Sequence, residues 1–217
     1  MDIKICGLKT GRTLAAALDG GATHVGFIFF PKSPRYVAPE EAGRLRQAAR
    51  GRAWVVAVSV DADDATLDEI VAKMAPDMLQ LHGAETPERV AAIKARHGLP
   101  VIKALPVREA ADLEAARPYL AVADRFLFDA KPPKGAELPG GNGTAFDWTL
   151  LSALEPDTDY LLSGGLDAAN VAEAIRIARP PGLDVSSGVE IAPGEKDAGR
   201  IGAFFEAVRK ARAATTA

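Results

Sequence analysis

The sequence is poor in cysteine, in aromatic residues and in long apolar segments. Its 217 residues include one cysteine and 6% aromatic residues. One cysteine excludes an internal disulfide and favours a reducing compartment, so a cytoplasmic protein is expected. The longest apolar runs, such as residues 53–58, are too short to span a bilayer. The first four residues also lack the basic-then-apolar layout of a signal peptide, so we expect no membrane association.

Neither sign of charge dominates the chain. Its 26 basic and 29 acidic side chains give a net charge of −3 and are mixed along the sequence. No basic stripe indicates a nucleic-acid partner. A hydrophobic content of 48% supports a sizeable core. We therefore expect one globular domain over residues 1–217, compatible with a monomer or a homodimer.

Several chemical signatures are also missing. The first predicted strand is followed by Cys6-Gly7-Leu8-Lys9 and not by the glycine pattern of a dinucleotide-binding turn. No His, Cys, Asp and Glu cluster has the spacing of metal ligands, so no metal is expected. No serine lies in a nucleophile elbow.

Short segments typical of buried strands alternate with helical segments along the whole chain. Several of these strand segments are almost continuously apolar, as in parallel strands that are covered on both faces. They are residues 3–6, 23–29, 54–59, 78–81, 100–105, 125–128, 159–162 and 183–185. Between them, apolar residues recur with helical spacing, as at Leu67, Ile70, Val71 and Met74.

Eight strand–helix units of about 27 residues predict an α/β protein with a (β/α)8, or TIM-barrel, fold. An open doubly wound sheet is the rival architecture, but it usually has fewer strands at this length and a glycine-rich first turn. The longest irregular stretch, residues 130–145, follows the sixth strand. A loop of that length in a compact barrel is usually functional.

Glycines cluster after the strands that form the usual phosphate site of this fold. Strand seven ends in Ser163-Gly164-Gly165, and strand eight is followed by Ser186-Ser187-Gly188. Glycines can simply turn the chain, but two such loops side by side favour phosphate binding through backbone N–H groups and a following helix N-terminus. The segment Gly140-Gly141-Asn142-Gly143 after strand six adds a third candidate wall. The predicted phosphate ligands are Gly141, Gly143, Gly164, Gly165, Ser187 and Gly188.

Cys6 ends the first strand and lies two residues after Lys4. Because side chains alternate along a strand, both are expected to point into the barrel. Most free cysteines are buried and inert. At this strand end, however, the thiol faces the predicted pocket. A neighbouring ammonium lowers a cysteine pKa from its usual value of about 8.5. Lys4 either does this or pairs with a carboxylate lower in the barrel.

Asp129 follows the apolar end of the sixth strand. An aspartate there can cap a helix, but the next helix is predicted well downstream, near Asp147. Apolar surroundings favour the neutral carboxyl group, which can then act as an acid. Strands one and six lie roughly opposite each other across a barrel mouth. Cys6 and Asp129 are therefore expected to flank a bound sugar and to move protons on its carbon skeleton.

Four further polar residues are predicted to contact substrate. Arg35 lies in a proline-stiffened loop after strand two, where its guanidinium can bind a carboxylate, although most such arginines are merely solvated. Gln80 and His82 lie two residues apart at the end of strand four, so their side chains are expected on the same face of the strand. Asp184 lies near the end of strand eight. These side chains are assigned to substrate contact and not to proton transfer.

Eight segments at the strand ends and in the loops form an ordered series. They are residues 4–7, 26–27 with 31–36, 79–83, 128–131, 146–148, 162–166, 184–190 and 193–197. In order and spacing, this series resembles the phosphoribosylanthranilate isomerase family of tryptophan biosynthesis, from residue 3 to about residue 205. One departure is Asn142, where the family's glycine loop more often carries Ser or Thr.

The resemblance implies a (β/α)8 barrel and an Amadori rearrangement of N-(5-phosphoribosyl)anthranilate without a cofactor. It implies that Cys6 is the general base, that Asp129 is the general acid and that Arg35 contacts the anthranilate carboxylate. Three alternatives remain. One is the related histidine-pathway isomerase, which resembles a catalyst with two aspartates; Cys6 in the position of the first aspartate argues against it.

The second is indole-glycerol-phosphate synthase, which usually has an N-terminal extension that is not seen in this sequence. The third is a non-catalytic sugar-phosphate binder, against which the acid and base candidates argue, because such a protein would not need them.

Overall fold

A computed structural model describes residues 1–131, 140, 141, 143 and 145–215. Asn142, the one departure from the family pattern, lies outside these residues. Eight parallel strands close into a barrel in chain order, with β1 hydrogen-bonded to both β2 and β8. The strands are β1 Asp2–Cys6, β2 His24–Ile28, β3 Trp54–Ser59, β4 Met78–Leu81, β5 Val101–Val107, β6 Arg125–Ala130, β7 Tyr160–Leu162 and β8 Gly182–Val185. The predicted (β/α)8 fold is confirmed.

Seven α-helices surround the barrel in the described part of the chain. They are α1 Gly11–Gly20, α2 Pro39–Ala49, α3 Asp64–Met74, α4 Pro87–His97, α5 Ala110–Leu113, α6 Val171–Ala178 and α7 Ala198–Thr215. Glycines end two of them: Gly21 and Gly98 adopt positive φ and their N–H groups bond to carbonyls of the last turn.

Two details differ from the regular strand–helix alternation. The helix between β6 and β7 is a 3-10 helix, Trp148–Ala153, which begins where the Asp147 side chain accepts a bond from the Thr149 N–H. Six residues are too few for a stable amphipathic α-helix. The loop after β8 contains a small antiparallel hairpin, β9 Glu190–Ala192 and β10 Glu195–Lys196, which the sequence did not indicate.

The strands bury both of their faces. One face packs against the helices, and the other fills the barrel with a separate small cluster. That inner cluster consists of Cys6, Val56, Val58, Ile102, Ala104, Leu127 and Leu161. Because side chains alternate along a strand, Lys4 lies on the same inward face as Cys6 and is fully buried. No helix in the described ranges is both long enough and apolar enough to cross a membrane.

Candidate active site

A cleft with an empty volume of about 680 Å³ opens at the carboxyl ends of the strands. It brings together ten of the twelve predicted site residues. These are Cys6, Arg35, Gln80, His82, Asp129, Gly141, Gly164, Gly165, Asp184 and Ser187. The other lining residues include an apolar wall formed by Ile28, Phe30, Val58 and Val60. A concave site with an apolar wall and a few convergent polar groups is typical of small-molecule binding.

Two predicted phosphate ligands lie beside this cleft. Gly143 lines an adjoining groove together with Gly141 and Ser187. Gly188 packs against the loop after β7, where an added Cβ atom would lie 1.9 Å from the carbonyl oxygen of Leu166. Only glycine fits this contact, so the loops after β7 and β8 meet backbone to backbone.

The loop after β7 turns sharply at two consecutive glycines. Gly164 and Gly165 both have positive φ, and the Asn170 amide donates to the carbonyl oxygen of Gly165. Successive peptide units arranged in this way are typical of anion-binding backbone sites. Helix α6, however, begins at Val171, six positions beyond Gly165. The helix N-terminus therefore follows the glycines, as predicted, but is separated from them by a short turn.

The thiol of Cys6 is at the floor of the cleft and is only 5% exposed. Burial raises its pKa, and the charge of Lys4 lowers it by less, while Asp184 raises it further. The net direction is upward: the neighbouring ammonium does lower the pKa, but by less than burial raises it. The thiol form is favoured because the desolvation of a buried thiolate outweighs the attraction of the ammonium.

Lys4 and Asp184 form a buried ion pair directly below Cys6. The Nζ atom of Lys4 lies 2.8 Å from Oδ1 of Asp184, and the hydroxyl of Ser163 donates to the other oxygen at 3.2 Å. The two charged residues are direct register partners on β1 and β8. Burial disfavours the ammonium, but the carboxylate more than offsets this, and the pKa of Lys4 is raised. The carboxylate pairing that the sequence left open for Lys4 is the observed one.

Asp129 points into the cleft from the end of β6 and is 5% exposed. Its Oδ1 atom accepts the N–H of Ala130 at 2.9 Å, and its Oδ2 atom lies 3.4 Å from Nε2 of His82. The other ring nitrogen of His82 lies 3.1 Å from the amide nitrogen of Gln80. Three predicted site residues therefore form one row of polar contacts along the cleft wall.

Arg35 is buried and not solvated. Its Nε and Nη2 atoms bind both carboxylate oxygens of Glu190 at 2.8 and 2.9 Å, and Lys196 contacts the same carboxylate. Burial raises the pKa of Glu190, but these two cations lower it more strongly. For Lys196, burial prevails and lowers its pKa. The remaining guanidinium nitrogen, Nη1, faces Gly141 beside the cleft.

Sequence reasoning gave no role to Ser163, Glu190 or Lys196, although all three lie in segments that carry the family resemblance. Ser163 supports Asp184 and Glu190 supports Arg35, while Lys196 contacts Glu190. In the described ranges, no three His, Cys, Asp or Glu side chains converge closely enough to hold a metal ion.

Comparison with known proteins gives one consistent result. The family described as N-(5'-phosphoribosyl)anthranilate (PRA) isomerase matches residues 3–207. The chain is 70% identical over 212 residues to N-(5'-phosphoribosyl)anthranilate isomerase of Mesorhizobium japonicum, covering 98% of this chain and 97% of that one. It is 67% identical over 213 residues to the enzyme of that name from Brucella canis, with 98% and 96% covered.

Solved structures agree with these relatives. Phosphoribosyl anthranilate isomerase from Thermotoga maritima superposes with a TM-score of 0.86 at 34% identity, covering 97% of this chain and 99% of that one. A phosphoribosyl anthranilate isomerase in complex with reduced 1-(o-carboxyphenylamino)-1-deoxyribulose 5-phosphate has a TM-score of 0.83 at 33% identity over the same shares. The chain belongs to the N-(5'-phosphoribosyl)anthranilate isomerase family.

Proposed function

We propose that this chain catalyses the Amadori rearrangement of N-(5'-phosphoribosyl)anthranilate to 1-(2-carboxyphenylamino)-1-deoxyribulose 5-phosphate in tryptophan biosynthesis. The observation that carries the proposal is one cleft with Cys6 on one side and Asp129 on another, above a buried ion pair. Relatives at 67–70% identity bear the name of this isomerase.

Asp129 is the general acid in this mechanism. Its carboxyl proton moves to the furanose ring oxygen, the bond between that oxygen and the anomeric carbon breaks, and the electron pair stays on oxygen. The nitrogen lone pair of the anthranilate forms an iminium with the anomeric carbon. The N–H of Ala130 already binds Oδ1, so the acid proton belongs on Oδ2.

Cys6 is the general base. Its thiolate removes the proton from the sugar carbon next to the iminium, and the electrons of that C–H bond form the enolamine, which tautomerises to the ketone. Burial raises the pKa of the thiol. The iminium formed by ring opening adds a second cation near the sulfur, beside Lys4, and so favours the thiolate at the step that needs it. Such proton transfers typically contribute about 10²–10⁴-fold each.

The remaining predicted residues bind the two ends of the substrate. Arg35 is held by Glu190 with Nη1 towards the cleft, where it can bind the anthranilate carboxylate beside the apolar wall. The glycines of the loops after β7 and β8 bind the phosphate, with Ser187 at the cleft edge. Gln80, His82 and Asp184 line the cleft between these two anchors. All steps move protons within one substrate, in agreement with the absence of a cofactor that the resemblance implies.

A fluorescence assay tests the proposed function. Purified enzyme is mixed with phosphoribosylanthranilate generated in place, and the loss of anthranilate-type fluorescence is followed over time. We expect turnover by the wild type and almost none by Asp129→Asn. Binding of the product without turnover by the wild type would contradict catalysis and favour the non-catalytic binder. Turnover of the histidine-pathway substrate alone would favour the related isomerase.

A further inference from the structure

The proposed general acid is not isolated in the cleft. Nε2 of His82 lies 3.4 Å from Oδ2 of Asp129, and Nδ1 of the same ring lies 3.1 Å from Nε2 of Gln80. Gln80 is 1% exposed, so its amide cannot turn away into solvent. The imidazole is thus held between a buried amide and the carboxyl oxygen that carries the acid proton.

The backbone of Gly140 covers this contact. A Cβ atom added at Gly140 would lie 2.5 Å from Oδ2 of Asp129 and 2.9 Å from Nε2 of His82. The main chain of Gly140 therefore lies against one side of this contact, while both side chains also line the cleft.

The chemistry of the amide determines how this row can hold a proton. When the amide N–H of Gln80 donates to Nδ1, the ring proton must be on Nε2, where it points at the carboxylate of Asp129. When the carboxyl group is protonated and donates to Nε2, the ring proton must be on Nδ1, and the amide oxygen of Gln80 must accept it. A glutamine serves both arrangements by turning its amide through 180°, because it carries a donor and an acceptor at similar positions.

We propose that His82 is a positioning residue that holds the acid proton of Asp129, and that Gln80 sets the tautomer of the ring. This inference rests on the proposed function. It assigns the contacts between Gln80, His82 and Asp129 a part in ring opening alone. With the ring proton on Nε2, the ring N–H donates to Oδ2 while the O–H of Asp129 faces the ring oxygen of the substrate; when that O–H bond breaks and its proton goes to the ring oxygen, the carboxylate that remains still accepts the Nε2–H of His82. Removal of the ring nitrogens should therefore slow ring opening more than the later steps.

The test compares two substrates in one variant. The natural substrate needs ring opening, whereas an analogue without the hydroxyl that closes the furanose exists only as the open imine. For His82→Leu we expect kcat on the natural substrate to fall by about 10-fold or more, a part of the 10²–10⁴-fold effect of an acid–base group. On the open analogue it should fall by less than about threefold. His97→Leu, at the other end of the barrel on α4, is the matched control and should leave both rates unchanged.

Each outcome decides between roles. Equal losses on both substrates would overturn the inference, because they would mean that His82 holds the substrate or the fold. An unchanged rate on the natural substrate would overturn it too. If the wild type does not turn over the natural substrate, the proposed function itself fails, so the two failures are distinguishable. Product binding within about threefold of wild type confirms that the variant is folded.

A spectroscopic measurement tests the part played by Gln80. The ¹⁵N chemical shifts of the His82 ring report which nitrogen carries the proton. In the wild type we expect one dominant tautomer at a given pH, and in Gln80→Met, which keeps the volume but lacks the amide, a mixture of both. The same variant should show the selective loss on the natural substrate. An unchanged tautomer in Gln80→Met would overturn the assignment of Gln80.

Discussion

Gly140 offers a direct test of the acid geometry, because an alanine there adds one methyl group at a known place. The new Cβ atom would lie 2.5 Å from Oδ2 of Asp129 and 2.9 Å from Nε2 of His82. Ordinary contacts are about 3.5 Å or longer, so Oδ2 has to retreat by about 1 Å. The backbone of Gly140 does not have positive φ, and the substitution itself causes no strain there.

The expected effect falls on catalysis and not on stability. A misplacement of about 1 Å costs about 10²-fold in rate, which is about 2.7 kcal/mol in the activation free energy. The atoms displaced are the ends of two side chains, so the free energy of unfolding should change by less than about 1 kcal/mol. We therefore expect Gly140→Ala to lower kcat about 10²-fold while its thermal midpoint remains near that of the wild type.

The assay is the loss of anthranilate fluorescence, with thermal unfolding followed by circular dichroism in parallel. Gly11→Ala is the matched control, because an added Cβ at Gly11 at the start of α1 meets no atom within 4 Å. It should keep wild-type kcat. A Gly140→Ala enzyme that retains more than about half of wild-type kcat would refute the reasoning, since Oδ2 would then not need its observed position.

Three other predictions follow from the same site. Cys6→Ser should lower kcat by about 10²-fold or more, because a hydroxyl is a far poorer base, and near-normal kcat would refute its role as base. Arg35→Ala should weaken anthranilate binding by about 10-fold or more, as expected for loss of a charge-assisted hydrogen bond, with inorganic phosphate binding unchanged; an equal loss for both ligands would refute the assignment. Burial raises the pKa of Cys6, so its alkylation by iodoacetamide should increase with pH through a midpoint above that of a free cysteine in the unfolded chain. In Asp184→Asn that midpoint should move down, because a carboxylate that raises the pKa is gone and Lys4 is left unopposed; an upward shift would contradict this.

The strand pattern could be read from the sequence because it depends on local properties. Apolar runs and side-chain parity predicted that Lys4 and Cys6 share the inward face of β1, and both are buried there. The residue at which β6 ends could not be predicted in this way. It was predicted at Phe128, but the strand continues to Ala130, because Asp129 and Ala130 pair with Pro106 and Val107 of β5. Strand ends are set by such pairing with a neighbour, which local sequence does not contain.

The electrostatic state of the site depends on contacts that are remote in sequence, and it was predicted less well. Lys4 meets Asp184, 180 residues away, and Arg35 meets Glu190, 155 residues away. Parity alone places an ammonium near the thiol of Cys6 and so predicts a lowered pKa. The carboxylate that neutralises this ammonium becomes visible only when β1 and β8 close the barrel.

These pairings divide the buried polar groups of the cleft into two kinds. Lys4, Arg35 and Lys196 each contact a buried carboxylate at short distance, and removing one partner of such a pair typically costs about 3–5 kcal/mol. Groups held so firmly are suited to fixing position. Cys6 and Asp129 are not partners in such a pair: the Cys6 thiol is buried beside the Lys4 ammonium that Asp184 already binds, and Asp129 contacts the Ala130 N–H and the His82 ring. A proton can leave or enter these two without breaking a buried ion pair. The rim therefore combines fixed charges, among which Arg35 places the anthranilate carboxylate, with two sites at which a proton can move.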